Sequence, residues 1–225
     1  MTNPPNPATA TPTSTPTGGW SDPEQTGWYL ERIGKLEARR AGEQVLVDLL
    51  PIAPTTVLDL GCGDGRLAAL VLDHRASVTH AVAVDQSPPM LAAARERFAD
   101  EPRVAVREWD LNRPLDGLGV DPVELVVSGF AIHHLEDGRK QRLFAEVVEL
   151  LAPGGLFSNL EVVASASPRR HAEFLEAIGR TSDDPEDRLA TVDDQLDWMA
   201  DAGFVDVDCL WHWRGFALLV GESPA

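Results

Sequence analysis

The stretch Val57-Leu-Asp-Leu-Gly-Cys-Gly-Asp-Gly-Arg66 decides the fold. It begins as an apolar run and ends in three glycines at alternate positions, Gly61, Gly63 and Gly65. Thr56 to Gly61 reads as a short buried strand, and the apolar spacing from Leu67 to Leu72 reads as the helix that follows it. Glycine turns the backbone through φ > 0 without steric cost and leaves room for a ligand to approach the main chain. Three glycines at this spacing exceed what a turn alone requires. The spacing is G-x-G-x-G, whereas the nicotinamide dinucleotide fingerprint is G-x-G-x-x-G. Asp59, two residues before Gly61, adds a negative charge beside the loop. That charge disfavours a pyrophosphate and favours a ligand carrying an ammonium group.

Apolar strands alternate with helices on the C-terminal side of this loop. The predicted strands are Ala81–Asp85, Val104–Trp109, Leu125–Ser128 and Leu156–Ala164. The predicted helices between them are Met90–Ala99 and the amphipathic Arg139–Leu151, the latter stopped by Pro153-Gly154-Gly155. Such alternation implies βαβ units and a parallel sheet covered on both faces. Pro168–Gly179 and Val192–Ala202 read as helices around the acidic loop Asp183-Asp-Pro-Glu-Asp187. Val205–Trp213 and Phe216–Val220 then form two strands joined only by Arg214-Gly215, which permits only an antiparallel hairpin. On the N-terminal side, Trp20 to Leu50 has helical spacing. Residues 1–19 carry no charge and no large apolar side chain beyond Met1, so the sequence predicts a disordered Thr/Pro-rich tail there.

Composition narrows the partners. A chain of 225 residues suits one domain with a real core. The net charge of −17 repels phosphate backbones and anionic lipid heads, so nucleic acid and membrane surfaces are excluded as expected partners. Residues 183–208 hold ten acids against one base, Arg188, and this weakly favours a neutral or cationic small ligand. Two cysteines, Cys62 and Cys209, make neither a disulfide framework nor a four-ligand zinc site, and no metal is expected. The start of the chain lacks a basic-then-apolar signal pattern, which points to the cytoplasm, as a monomer or homodimer.

Two further acids sit where ligands bind in open parallel sheets, at the carboxyl ends of strands. Asp85 ends the second strand, 20 residues past Gly65, where a carboxylate accepts hydrogen bonds from a ribose diol. Asp110, in Trp109-Asp110-Leu111, follows the third strand and is placed to accept from an adenine amino group.

With these residues in hand, the chain resembles the class I S-adenosylmethionine-dependent methyltransferases, in particular their small-molecule members. VLDLGCGDG resembles the family's first motif, AVAVDQSPPML its second-strand acid motif and EWDLNRPL its adenine-side motif. LVVSGFAIHHLED resembles the fourth-strand motif and LLAPGGLFSNLE the strand after it. The motifs cover residues 55–164 and the strand pattern extends to about 222. The resemblance implies a Rossmann-like α/β three-layer sandwich. Its seven-stranded, mostly parallel sheet has the order 3-2-1-4-5-7-6, with strand 7 antiparallel. It implies S-adenosyl-L-methionine as cofactor, with Gly61, Cys62, Gly63 and Gly65 around its methionine part and Asp59 orienting the ammonium. Asp85 falls on the ribose hydroxyls, Asp110 and Leu111 on the adenine, and Ser87 and Met90 near the adenosine, with Gln86 and Ser128 as further cofactor-binding candidates.

For the acceptor, Phe130-Ala-Ile-His-His-Leu135 follows the fourth strand and faces the cofactor in this fold. His133 and His134 are the candidate bases, because histidine titrates near neutral pH. Glu161, at the end of the fifth strand, is placed to orient an imidazole or hold the acceptor. Residues 165–202 are read as an acceptor cover, and Trp28, Tyr29 and Arg32 on residues 20–50 as a lid. Trp211 and Trp213 share one strand face and read as core. His74, His80 and His171 show no partners and read as surface. The expected activity is methyl transfer to a small-molecule acceptor. The alternatives are a non-catalytic cofactor-binding protein with this fold and an NAD(P)-dependent oxidoreductase.

Overall fold

The computed structural model describes residues 19, 20, 22, 26, 27, 30, 31 and 35–225. The expected lid residues Trp28, Tyr29 and Arg32, and residues 1–18 of the expected tail, lie outside them. Seven strands form one sheet in the order β3-β2-β1-β4-β5-β7-β6. In chain order they are β1 Thr56–Leu60, β2 His80–Asp85, β3 Val104–Glu108, β4 Val123–Gly129, β5 Leu151–Val162, β6 Val205–Trp213 and β7 Phe216–Glu222. Strands β1 to β5 pair in parallel, and β7 runs antiparallel to both β5 and β6. This is the order that the family resemblance implied.

The helices are α1 Glu37–Leu49, α2 Arg66–His74, α3 Pro88–Arg97, α4 Asp137–Leu150, α5 Pro168–Ala177 and α6 Val192–Ala202. One face of the sheet packs Leu143, Phe144 and Val147 of α4 and Met199 of α6 against Leu58, Val126 and Phe157. The other packs Leu46 of α1, Leu67 and Val71 of α2 and Phe174 of α5 against Val57, Leu125 and Leu160. Burial on both faces explains why the central strands read as unbroken apolar runs. None of the helices among the described residues is long and apolar enough to cross a membrane.

Local chemistry sets the ends of the elements. Gly65 precedes α2 with φ +80°, and a Cβ there would lie 2.3 Å from Phe98 Cε2. Ser87 caps α3, its hydroxyl accepting from Met90 N–H, with Pro88 in the first turn. Thr191 caps α6 by accepting from Asp194 N–H at 3.0 Å. The Pro153-Gly154-Gly155 segment is a bulge inside β5. The ladder passes from Val123–Leu151 directly to Leu125–Leu156, leaving three extra residues on β5. Trp211 and Trp213 are half-buried on the α1–α2 side of the core, with His212 exposed between them, as the alternation requires.

Candidate active site

A cavity of about 320 Å³ opens beyond the carboxyl ends of β1 to β4. That is the lower end of the roughly 300–1,000 Å³ typical of small-molecule sites. The loop after β1 forms its floor. Gly61 has φ +67°, and a Cβ there would overlap Ala131 Cβ at 2.2 Å. Bare backbone at Gly61 is what lets the β4 loop close against the glycine loop. Cys62 N–H donates to Val84 O at 2.8 Å and Gly63 N–H to Asp85 Oδ2 at 2.9 Å, so β2 fixes the loop.

Asp85 lines the cavity. Its Oδ1 accepts from Ser87 N–H at 2.8 Å, so each carboxylate oxygen takes one backbone N–H and keeps lone-pair capacity for a ligand. Burial pushes its carboxyl above the usual range, against the backbone amides of Ser87, Gly63 and Gln86, which favour the charged form. Met90, Gln86, Leu111 and Asp110 complete this side. Asp110 Oδ1 is engaged by Asn112 N–H at 2.8 Å and its side-chain amide at 3.0 Å, which leaves Oδ2 for a ligand. The apolar wall is Trp109, with the Arg113 guanidinium 4.2 Å from its ring centroid.

Three of the expected cofactor residues sit behind this wall. Gly65 packs on Phe98, and Ser128 Oγ donates to Leu60 O at 2.8 Å, tying β4 to β1. Asp59 is buried, with Oδ2 accepting from Ala68 N–H at 3.0 Å in the first turn of α2 and Oδ1 unpartnered. Burial, then the neighbouring carboxylates Asp85 and Asp64, push its carboxyl up to about 7. Cys62 lines the cavity, but burial and the same acids push its thiol well above the ordinary range, which removes any nucleophilic role.

The acceptor-side residues are sorted more sharply than the sequence suggested. Phe130, with φ +55°, turns the chain out of β4, and His133 and His134 follow in a short 3₁₀ turn. Only His134 lines the cavity. The expectation that His133 and Glu161 line it as well is corrected, because both are buried behind His134. His133 Nδ1 lies 2.5 Å from Glu161 Oε1, and Glu161 Oε2 accepts the backbone N–H of His133 at 2.9 Å. On its other side His133 Nε2 stands 3.4 Å from Asp187 Oδ1. Burial alone would lower the His133 pKa. The two flanking carboxylates outweigh it and push it up to about 9, so His133 holds its proton at neutral pH. The His134 ring stacks on it at 4.0 Å between centroids. Burial, then the charge on His133, push His134 down to about 3, so it stays neutral. His134 Nδ1 faces the carbonyl of Glu186 at 3.4 Å, an acceptor, which assigns the hydrogen to Nδ1 and the lone pair to the unpartnered Nε2.

The sequence reading missed Asp187, Glu186 and Arg188 as site residues. In the sequence they read only as part of the cover 165–202. The loop is pinned to the His pair by Arg188 N–H donating to His133 O at 2.8 Å and by Lys140 Nζ, buried in α4, donating to Arg188 O. Glu186, Arg188, Trp20 and Arg39 also line the cavity. His171 is likewise corrected from a partnerless surface residue. Its Nε2 is 2.5 Å from Asp183 Oδ1 and its Nδ1 is 3.3 Å from Ser165 Oγ. His74 Nδ1 meets Leu70 O at 2.9 Å.

Residues 57–155 match the methyltransferase domain family. An uncharacterized methyltransferase of Mycobacterium tuberculosis is 34% identical over 126 residues, 56% of this chain and 58% of that protein. The ornithine lipid N-methyltransferase of Singulisphaera acidiphila is 26% identical over 125 residues, 54% of this chain and 65% of that one. The chain thus spans less than two thirds of the length of these curated relatives. An O-methyltransferase family protein from Burkholderia thailandensis shares the fold, with a TM-score of 0.70 at 20% identity, over 91% of this chain and 61% of that one. So does human N-acetylserotonin methyltransferase in complex with S-adenosylmethionine, at TM-score 0.68 and 15% identity, over 92% of this chain and 58% of that one. Residues 57–155 thus match a methyltransferase domain, and the fold is that of S-adenosylmethionine-dependent methyltransferases. The residues present fit S-adenosylmethionine. Gly63 has φ +54° with no atom nearer its Cβ position than Met90 Sδ at 3.8 Å, which leaves bare backbone on the cavity wall. Beside it stands the Asp85 carboxylate, which also lines the cavity.

Proposed function

We propose that this chain transfers the methyl group of S-adenosylmethionine to a small-molecule acceptor, releasing S-adenosylhomocysteine. The observation that carries the reading is the meeting, in one cavity, of the Gly61–Gly63 backbone, the Asp85 carboxylate and the neutral ring of His134. When bound, the cofactor supplies an electrophilic methyl group on a sulfonium. Asp85 holds the ribose hydroxyls through the lone pairs its backbone donors leave open. Trp109 and Leu111 bury the adenine, and Asp110 accepts from its amino group. His134 presents its ring to the acceptor and takes a hydrogen bond from its O–H or N–H through Nε2. Glu161 and His133 stand behind it as positioning residues. Glu161 grips the His133 ring and main chain, and His133 supports the His134 ring. Alignment of acceptor and methyl carbon supplies much of the barrier reduction in such a displacement.

A small acceptor is supported by the size of the cavity and by the acidic segment 183–208 beside it, which repels polyanions. Glu186 and Arg188 on the cavity wall support reading residues 165–202 as its cover. The test is calorimetric titration with S-adenosylhomocysteine, then incubation with methyl-labelled cofactor and a fractionated small-metabolite extract. Binding together with label in the small-molecule fraction supports the reading. Binding without transfer to any fraction replaces it with a cofactor-binding role.

A further inference from the structure

Behind the cavity, three potential ligand atoms converge from two distant parts of the chain. His133 Nε2 and His134 Nδ1 lie 3.4 Å and 3.6 Å from the same oxygen, Asp187 Oδ1. These separations exceed a normal N–H···O hydrogen bond, about 2.7–3.2 Å. They match the spacing of two ligands around a tetrahedral ion. With bonds of about 2.0–2.1 Å to nitrogen and oxygen, neighbouring ligands stand about 3.3 Å apart. The three side chains hold one ligand atom each within 4.8 Å of one another.

The surroundings are those of a metal-binding histidine. Glu161 is fully buried and lies 2.5 Å from His133 Nδ1. A carboxylate there fixes one hydrogen on Nδ1, so that a metal displacing the Nε2 proton meets a lone pair directed towards Asp187. Carboxylate–histidine–metal arrangements work in this way. Glu161 is itself held, accepting from the backbone N–H groups of His133 at 2.9 Å and Val162 at 2.8 Å. Of the nearby guanidiniums, Arg188 is paired with Glu136 at 2.8 Å, while Arg180 reaches Asp184 only at 3.8 Å.

We propose that His133, His134 and Asp187 form a binding site for one divalent first-row metal ion of the zinc type, with Glu161 as the carboxylate orienting His133. Two imidazoles and one carboxylate are a donor set suited to zinc or cobalt(II) and poorly suited to magnesium or calcium. Three protein ligands leave a fourth position open. Ligation through Nδ1 moves the hydrogen of His134 to Nε2. An occupied site therefore turns this ring from an acceptor to a donor of hydrogen bonds. The inference stands on the ligand geometry and does not depend on methyl transfer.

The test uses the full chain without an affinity tag, stripped with chelator and titrated with Zn²⁺ and separately with Co²⁺ by calorimetry. The metal content after gel filtration is counted by mass spectrometry. The expected result is one ion per chain, a visible tetrahedral Co²⁺ absorption band, and no competition by excess Mg²⁺. Asp187→Asn, a change in the loop before α6, should lower the affinity at least 100-fold. Glu161→Gln should lower it 10- to 100-fold. Titration with S-adenosylhomocysteine shows that each variant remains folded and keeps its cavity. Substoichiometric uptake by the wild-type chain would overturn the proposal. So would uptake unchanged by Asp187→Asn and His133→Gln, since the ion would then lie on the surface histidines His74, His80 or His212.

Discussion

Glu161 grips His133 at two points, its Oε1 2.5 Å from ring Nδ1 and its Oε2 accepting the backbone N–H of the same residue at 2.9 Å. One carboxylate from the end of β5 thereby fixes both the turn after β4 and the ring inside it. Glu161→Gln puts an amide N–H₂ where one of two donors must be accepted. Breaking a buried charged pair costs about 3–5 kcal/mol. The variant should melt roughly 6–20 °C lower, at about 2–4 °C per kcal/mol for a domain of this size. Differential scanning calorimetry reads this directly, and an unchanged midpoint would remove the clamp from the account.

Asp85→Ala removes the carboxylate proposed for the ribose. Hydrogen bonds to a charged group contribute about 1.5–3 kcal/mol. S-adenosylhomocysteine should bind at least 10- to 100-fold more weakly by calorimetry. A variant that binds as well as the wild type would move the ribose elsewhere.

Two glycines of the loop should respond differently to alanine. Gly61→Ala places a methyl 2.2 Å from Ala131 Cβ at φ +67°, so the fold itself should suffer, with loss of soluble protein or a large drop in melting temperature. Gly63→Ala meets nothing nearer than 3.8 Å and carries only the αL penalty of about 1–2 kcal/mol. It should fold and yet lose ligand affinity, because its methyl stands on the cavity wall. Comparing melting curves with ligand titrations for the pair separates the two roles.

Asp59 gives the chain a pH signature. Its carboxyl is pushed up to about 7 when folded, from 3.8 when exposed, so the folded state binds the extra proton between these values. Stability from this residue is then highest at low pH and declines as pH rises from about 4 to about 7. Asp59→Asn keeps an acceptor for Ala68 N–H and removes the charge. It should match the wild type near pH 4 and exceed it by a few kcal/mol at pH 8, as urea titrations at the two pH values would show. Parallel pH profiles would contradict the assignment.

What could be read from the sequence was local. The G-x-G-x-G spacing, the acids ending β2 and following β3, and the two-residue hairpin are each set within a few residues of chain, and each stands where it was expected. What escaped was set by contacts across the fold. Asp187 sits in a run of acids that reads as a solvated loop. Only the docking of Arg188 on His133 O, 55 residues back, carries it to the His pair. The burial of Lys140 under that loop is equally invisible in an amphipathic helix pattern. The same long-range closure withdrew His133 and Glu161 from the cavity wall and left His134 alone upon it.

We propose that the cavity at Gly61, Asp85 and His134 carries out methyl transfer to a small acceptor. The most direct measurement is mass detection of label from methyl-labelled S-adenosylmethionine in a small-metabolite extract, with wild type, Asp85→Ala and His134→Ala side by side. The account predicts a labelled small molecule with the wild type. It predicts loss of label with Asp85→Ala at limiting cofactor, and loss with His134→Ala at unchanged S-adenosylhomocysteine affinity. Label appearing only in RNA or protein, or equally in all three proteins, would contradict it.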